Sequence, residues 1–179
     1  KPNSGTVYLN GKRIDQLPSF EVAKSGLGRT FQVTRSFRRM TVLENLYVPA
    51  LALGKSYKGG AVQKEALEVL DFLTMGHLRN EYARALSGGQ QKLLELGRLM
   101  MLDPDVVILD EPFSGLDPVN LDSLRAAVLN LRQNGTTIVF STHDMEMAEK
   151  MCDTIFMIFR GKKVLDGTLS SIQAAYPAD

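Results

Sequence analysis

The sequence of 179 residues lacks the features that mark several classes of protein. It contains one cysteine, Cys152, and no tryptophan. A single cysteine has no partner within the chain, which excludes an internal disulfide framework and favours a reducing compartment. No apolar run approaches the roughly 20 residues needed to cross a bilayer, so we expect any membrane role to come through a partner. The net charge of +1 gives no electrostatic reason to expect a nucleic-acid partner.

The length and composition place the chain among globular proteins. Hydrophobic residues make up 44% of it, which is enough to bury a core, and the length suggests one domain with at most a subdomain. No signal peptide is evident at the start, so we expect the chain in the cytoplasm.

The most informative stretch runs from residue 86 to residue 117. It opens with LSGGQ, and leucines then recur at helical spacing: Leu93, Leu94, Leu96, Leu99 and Leu102. The first amides of a helix have no partner within it, so an anion at 87–90 would meet free N–H donors and the positive end of the helix dipole. The pattern predicts a phosphate-binding start to a helix of about fifteen residues that ends at Pro104.

An apolar run and two acids follow this helix. Residues 106–109 are uninterrupted by polar side chains, which is typical of a parallel strand covered on both faces. Asp110 and Glu111 then stand at the C-terminal end of that strand, where open α/β sheets place their ligands. Asp110 suits Mg²⁺, which takes one or two carboxylates with waters and phosphates, and Glu111 suits the activation of a water. By themselves the two acids also fit an acidic turn that caps a strand.

Four ordered motifs give the chain a family resemblance. LSGGQ (86–90), VVILDEP (106–112), SGLD (114–117) and His143 resemble the signature, Walker B, D-loop and H-loop of an ATP-binding-cassette (ABC) ATPase. The resemblance covers essentially the whole chain and implies an α/β, P-loop NTPase-like fold in which a parallel sheet carries a helical subdomain. The segments RTFQ…MTVLENL and QQKLLELGRLMMLDP resemble the ATP-binding subunits of branched-chain amino-acid importers.

The resemblance also implies a role for each residue that matches a motif. Asp110 and Gln32 would organise Mg²⁺, Glu111 would act as general base, and His143 would position the γ-phosphate and the attacking water. By chemistry alone, Gln32 is a solvated loop residue and His143 is a hydrogen-bonded structural residue at a strand end.

The signature is implied to act across a dimer. Ser87, Gly88, Gly89 and Gln90 would close on an ATP held by a second subunit, and the loop that contains Asp117 would cross to that subunit. Asp117 also has a structural interpretation as the N-cap of a helix with Pro118 at its first position.

Local patterns divide the rest of the chain. We expect residues 1–40 to form part of the catalytic core, 41–86 to form the helical subdomain, and 87–179 to form the signature helix and the remaining core. The predicted elements are a hairpin over 6–14, helices over 18–24, 41–53, 61–75 and 118–134, strands over 29–31 and 136–141, a helix from Asp144 with methionines in the core, a hairpin over 154–165 and a helix over 169–175.

The sequence departs from the family pattern in one respect. It contains no G-x-x-x-x-G-K-[ST] loop: Gly54-Lys55-Ser56 matches the end of one, but Pro49 stands where the first glycine is required, so 54–60 is interpreted as a surface loop. The start of the chain resembles the segment after the P-loop helix. We therefore expect a fragment that binds ATP poorly by itself. It should expose apolar sheet surface unless another segment covers that surface. It should also lack a central strand that the strand ending at Asp110 and the strand preceding His143 would flank.

The resemblance implies an ATP-hydrolysing subunit that powers branched-chain amino-acid import. Its partners would be a second ATPase subunit, in a homodimer or heterodimer, and integral membrane permease subunits at the cytoplasmic face of the cell membrane. Two alternatives stay open: a soluble ABC ATPase without a transport role, and an inactive fragment that serves as an interaction module. Selectivity for the solute would reside in other subunits.

Overall fold

The structure is a computed structural model that describes residues 4–30 and 35–175. The chain divides into two compact units, one up to Ser141 and one from Thr142 onwards. The division into 1–40, 41–86 and 87–179 stays a prediction.

The first unit opens with a small hairpin and a short helix. Strands β1 (Tyr8–Leu9) and β2 (Lys12–Arg13) pair antiparallel around Asn10 and Gly11, which both have positive φ angles, of 48° and 77°. Asn and Gly tolerate this left-handed conformation, and two such residues make the tight turn that joins hairpin strands. Helix α1 (Ser19–Lys24) follows Pro18. The hairpin and the helix confirm the prediction.

A parallel sheet of three strands forms the centre of this unit. Its order is β3 (Leu27–Arg29), β4 (Val106–Asp110), β5 (Thr137–Ser141). Strands β4 and β5 pair directly, with Asp110 beside Ser141, so the expectation that these two strands flank a missing central strand is wrong. The strand predicted over 29–31 begins two residues earlier, and Phe31 lies outside the described residues.

The two faces of this sheet differ in burial. Val107 and Leu109 point to a face that is fully covered, whereas Ile108 is 36% exposed and its β5 neighbour Val139 is 52% exposed. The expectation that the β4 strand is covered on both faces is therefore wrong for the described residues. The expected exposure of apolar sheet surface is observed.

Four helices complete the first unit. They are α2 (Val42–Ala52), α3 (Ala61–Phe72), α4 (Gly88–Met100) and α5 (Pro118–Gln133), with single 3₁₀ turns at Gly76–Leu78 and Ala83–Ala85. Thr41 caps α2 in the predicted capping box with Glu44, and the exposed loop 54–60 lies between α2 and α3. Helix α4 ends at Met100, before Pro104, because Asp103 has already turned into the left-handed region with a φ of 49°.

The core of the unit surrounds α4. Its leucines are 5% exposed or less, and α4 packs against both α2 and α5. Gly97 lies where α4 meets Leu46 and Leu73, and Gly28 of β3 lies against Leu99. Because α4 is largely buried from Leu93 onwards while Ser87 and Gly88 at its start are exposed, it presents the LSGGQ segment to solvent on a rigid support.

The second unit is a short helix, a hairpin and a final helix. These are α6 (Met145–Met151), β6 (Thr154–Phe159), β7 (Lys162–Thr168) and α7 (Leu169–Ala175). Asp144 caps α6 by accepting a hydrogen bond from the Met147 amide at 3.0 Å. The expectation that all the α6 methionines are core residues is wrong in part: Met147 is buried but Met145 is 46% exposed.

Candidate functional site at the carboxyl edge of the sheet

The LSGGQ segment forms the exposed start of α4. The Ser87 hydroxyl accepts a hydrogen bond from the Gln90 amide at 3.3 Å, and the Gln90 side-chain oxygen accepts one from the Ser87 amide at 2.9 Å. This reciprocal capping box uses two of the amides that the sequence pattern suggested for an anion. Ser87 and Gly88 are exposed, so the phosphate-binding role predicted for this turn is sterically open.

The two glycines of this segment have different surroundings. A side chain at Gly88 would have no atom within 4 Å, whereas a Cβ at Gly89 would lie 2.7 Å from the Asn120 side-chain nitrogen. Gly88 therefore leaves room on the solvent side for a ligand, and Gly89 lets α4 approach the start of α5.

Three polar side chains meet at the carboxyl edge of the parallel sheet. Asp110 ends β4, and the Ser141 hydroxyl at the end of β5 donates to its carboxylate at 2.7 Å. The Thr30 hydroxyl, just after β3, accepts from the Asp110 amide at 3.3 Å. The Ser141 hydrogen bond orients the Asp110 carboxylate, and the Thr30 hydrogen bond holds the Asp110 backbone amide. The strand-end pattern predicts a site at Asp110, whereas no local pattern indicates Ser141 or Thr30.

Asp110 offers the donor chemistry that Mg²⁺ requires. Carboxylate and hydroxyl oxygens at a strand end suit this cation, which completes its shell with waters and phosphate oxygens. The described residues contain no group of three or more His, Cys, Asp or Glu side chains arranged to hold a metal. The Asp110 carboxylate beside the Ser141 hydroxyl fits an ion that takes its remaining ligands from waters and phosphate oxygens.

Glu111 leaves the sheet through a backbone turn. Its φ angle is 46°, in the left-handed region, and its amide donates to the Ser141 hydroxyl at 3.1 Å. A left-handed backbone is uncommon for a residue other than glycine, and it persists where neighbouring contacts enforce it. This turn takes the backbone at Glu111 out of the direction of β4. The side chains of Asp110 and Glu111 therefore leave the chain in different directions.

Asp117 lies at the other end of the loop that begins with Glu111. Its carboxylate accepts from the Asn120 amide at 3.1 Å and also bonds the Asn120 side chain. These two hydrogen bonds lower the pKa of Asp117. The predicted N-cap of α5 is confirmed, whereas contact with a second subunit stays a prediction.

Two of the predicted site residues cannot be compared with this geometry. Gln32 lies outside the described residues. His143 belongs to the second unit, is exposed, and follows the end of β5 by two residues. The roles assigned to both stay predictions.

A small pocket adjoins the acidic strand end. Part of its lining is polar, and a lysine of α4 reaches into the region from the helix side; the lining residues are Thr30, Lys92, Glu95, Leu96, Leu109, Asp110, Pro112 and Leu124. Lys92 was not singled out in the sequence, since one lysine on an amphipathic helix carries no local signal.

Comparison of the sequence with known proteins identifies the family of the chain. The sequence profile described as ABC transporter matches residues 1–114. The chain belongs to the ABC transporter family. Its fold is that of the ABC ATPases, and the P-loop NTPase-like α/β prediction is confirmed.

Individual ABC proteins are similar over most of the chain. A probable branched-chain amino acid transport ATP-binding protein, LivG, from Archaeoglobus fulgidus is 33% identical, over 93% of this chain and 69% of its own length. The high-affinity branched-chain amino acid transport ATP-binding protein BraF from Pseudomonas aeruginosa is 34% identical, over 97% of this chain and 73% of its own length.

A solved structure extends the comparison to a nucleotide-bound state. A dimeric ATP-binding cassette in a post-hydrolysis state, bound to ADP and Pi, superposes with a TM-score of 0.82 at 26% identity, covering 94% of this chain and 75% of that one.

In the described part of this ABC chain, every helix is too short or too polar to span a bilayer.

Proposed function

We propose that the chain is the ATP-hydrolysing subunit of an ABC transporter that powers the import of branched-chain amino acids. The proposal is supported by the family membership and by the transport functions for which the LivG and BraF relatives are named. The observation that carries the ATPase assignment is the pair of differently directed acids at the carboxyl edge of the parallel sheet. Asp110 is oriented by Ser141, and Glu111 is turned away by its left-handed backbone.

The reaction we assign is transfer of the γ-phosphoryl group of ATP to water. Glu111 takes a proton from the attacking water as the new bond to phosphorus forms and the bond to the leaving ADP oxygen breaks. Asp110, together with Gln32, would hold Mg²⁺, which neutralises phosphate charge when bound. His143 would orient the γ-phosphate and the water.

We further propose that the nucleotide site is shared between two subunits. Ser87 and Gly88 are exposed at the start of a helix, where a phosphate carried by another subunit has access to amides and to the helix dipole. Gly89 and Gln90 complete this turn, and Asp117 stands at the end of the loop that would reach the same subunit. The pair would sit on permease subunits at the cytoplasmic face of the membrane.

Substitution of Glu111 tests the catalytic assignment. In an assembled cassette pair that includes a P-loop, Glu111→Gln should lower ATP hydrolysis by roughly a hundredfold or more, while ATP binding is retained. Glu68→Gln, on the exposed side of α3, is the matched control and should hydrolyse ATP normally. Undiminished hydrolysis by Glu111→Gln would remove Glu111 from its role.

Uptake measurements test the transported solute. Cells that carry Glu111→Gln in the chromosomal gene should lose energy-dependent uptake of leucine, isoleucine and valine and keep uptake of lysine. Normal uptake of all three branched-chain amino acids would contradict the import assignment. Recovery of the wild-type protein only in the soluble fraction, without permease subunits, would favour a non-transport ABC ATPase.

A further inference from the structure

Lys92 lies on α4, at the second turn of the helix that begins with the LSGGQ segment. Its ammonium group donates to the backbone carbonyl oxygens of Ser114 at 2.7 Å, Glu111 at 3.2 Å and Pro112 at 3.3 Å. An ammonium group has three N–H donors, and the turn after β4 supplies three acceptors. These contacts are absent from the roles assigned above.

The surroundings of Lys92 favour a structural use of its charge. Burial lowers the pKa of Lys92, and the nearby carboxylates of Glu111 and Glu95 oppose that shift. Glu95 is itself buried, at 7% exposure, one turn further along α4. A partly buried ammonium group is stabilised by close hydrogen-bond acceptors, which the three carbonyls provide.

The turn that Lys92 contacts has an unusual backbone. Glu111 is left-handed, and its carbonyl oxygen also accepts from the Ser114 amide at 3.3 Å. The Glu111 carbonyl therefore faces both Lys92 and Ser114. Donors that converge on one carbonyl fix the peptide plane and thereby the direction in which the Glu111 side chain leaves the chain.

The same helix also contacts the far end of this loop. Gly89 lies against Asn120, which bonds Asp117, the last residue of the loop. The first two turns of α4 thus contact the loop 111–117 directly through Lys92 and reach its far end through Asn120. A displacement of α4 would be transmitted to Glu111 through packed, hydrogen-bonded groups rather than through flexible chain.

We propose that Lys92 is a positioning residue that holds the backbone of Glu111 and couples the LSGGQ turn to the Glu111 carboxylate within one subunit. This inference rests on the proposed ATPase function. It adds a consequence: closure on a nucleotide at Ser87–Gln90 of one subunit would set the position of the general base in that same subunit.

Hydrogen exchange tests the positioning without any nucleotide. Lys92→Met keeps the aliphatic stem and removes the three donors, so the amide of Ser114, which donates to the Glu111 carbonyl, should exchange at least about tenfold faster than in the wild type. Lys64→Met is the matched control, since the Lys64 side chain is 80% exposed on α3, where it lies beside Glu68. It should leave exchange at 111–117 unchanged. Thermal unfolding of all variants checks that the fold is intact.

Kinetics of the assembled ATPase test the consequence for the reaction. Lys92→Met should lower kcat by about tenfold to a hundredfold, because a general base displaced by about 1 Å costs that much, while the KM for ATP changes less than about threefold. Lys92→Arg can still donate to the carbonyls and should restore most of kcat. A merely structural role would change unfolding without this split between kcat and KM.

The outcomes separate this inference from the proposed function. Unchanged exchange at Ser114 in Lys92→Met would overturn the positioning role, whatever the kinetics. Faster exchange with a normal kcat, in a protein that Glu111→Gln inactivates, would overturn the coupling and leave the ATPase assignment intact. If Glu111→Gln retains full hydrolysis, the ATPase assignment of Glu111 fails and this inference fails with it.

Discussion

The Ser141 hydroxyl donates a 2.7 Å hydrogen bond to the carboxylate of Asp110 from the neighbouring parallel strand. The same hydroxyl accepts from the Glu111 amide at 3.1 Å. One side chain on β5 therefore contacts both acidic residues that end β4, and it does so because the two strands pair with Asp110 beside Ser141.

Ser141→Ala should weaken the binding of Mg²⁺ at Asp110. Loss of the hydroxyl frees the carboxylate to rotate, and groups that orient a metal ligand typically change metal affinity by about tenfold to a hundredfold. The Mg²⁺ concentration for half-maximal ATP hydrolysis should rise by about tenfold. Ser56→Ala, in the exposed 54–60 loop, is the control, and an unchanged Mg²⁺ requirement in Ser141→Ala would contradict the metal assignment of Asp110.

Ser87→Asp should separate folding from nucleotide closure. Asp caps helices as well as Ser does, so the free energy of unfolding should stay within about 0.5 kcal/mol of the wild-type value. The added carboxylate would repel a phosphate at the exposed turn, so nucleotide-dependent dimerisation should be lost. Ser19→Asp at the start of α1 is the control, and dimerisation that survives Ser87→Asp would show that this turn does not bind phosphate.

Gly97→Ala should destabilise the fold, unlike Gly88→Ala. A methyl group at Gly97 would lie 2.9 Å from Leu73 Cδ1 and 3.2 Å from Leu46 Cδ2, in the fully buried contact of α4 with its neighbours. Overpacking of this kind costs about 1–3 kcal/mol. Gly88 has open space, so Gly88→Ala should leave the urea midpoint unchanged or raise it. Equal midpoints for the two variants would show that α4 can shift without cost.

Asp15 should make folding stability dependent on pH in the acid range. The Arg13 side chain, and then the Val7 amide, donate to its carboxylate and lower its pKa from 3.8 to about 2. Because the folded-state pKa is depressed, the stabilisation is present above about pH 4 and is lost as the pH falls towards about 2. The stability difference between the wild type and Asp15→Asn should shrink over this interval. A constant difference in urea midpoint across it would contradict the pKa assignment.

Short-range chemistry made much of this fold predictable. Asn10-Gly11 forms the hairpin turn, Thr41 and Glu44 form the capping box, and Asp117-Pro118 starts α5, because each depends on residues within a few positions of one another. A ligand site at the two acids that end an apolar strand was equally predictable, since ligands bind at the carboxyl ends of parallel strands in such sheets.

Other features depended on the order of strands and the packing of helices. Ser141 lies 31 residues from Asp110, Thr30 lies 80 residues from it, and Lys92 lies 22 residues from Ser114. No local pattern links such pairs, because their contact follows from β4 pairing directly with β3 and β5 and from α4 packing beside the turn after β4. The sequence by itself determined which residues carry the chemistry and which elements they end. Only the tertiary structure decided which side chains hold those residues in place, since that depends on contacts between distant parts of the chain.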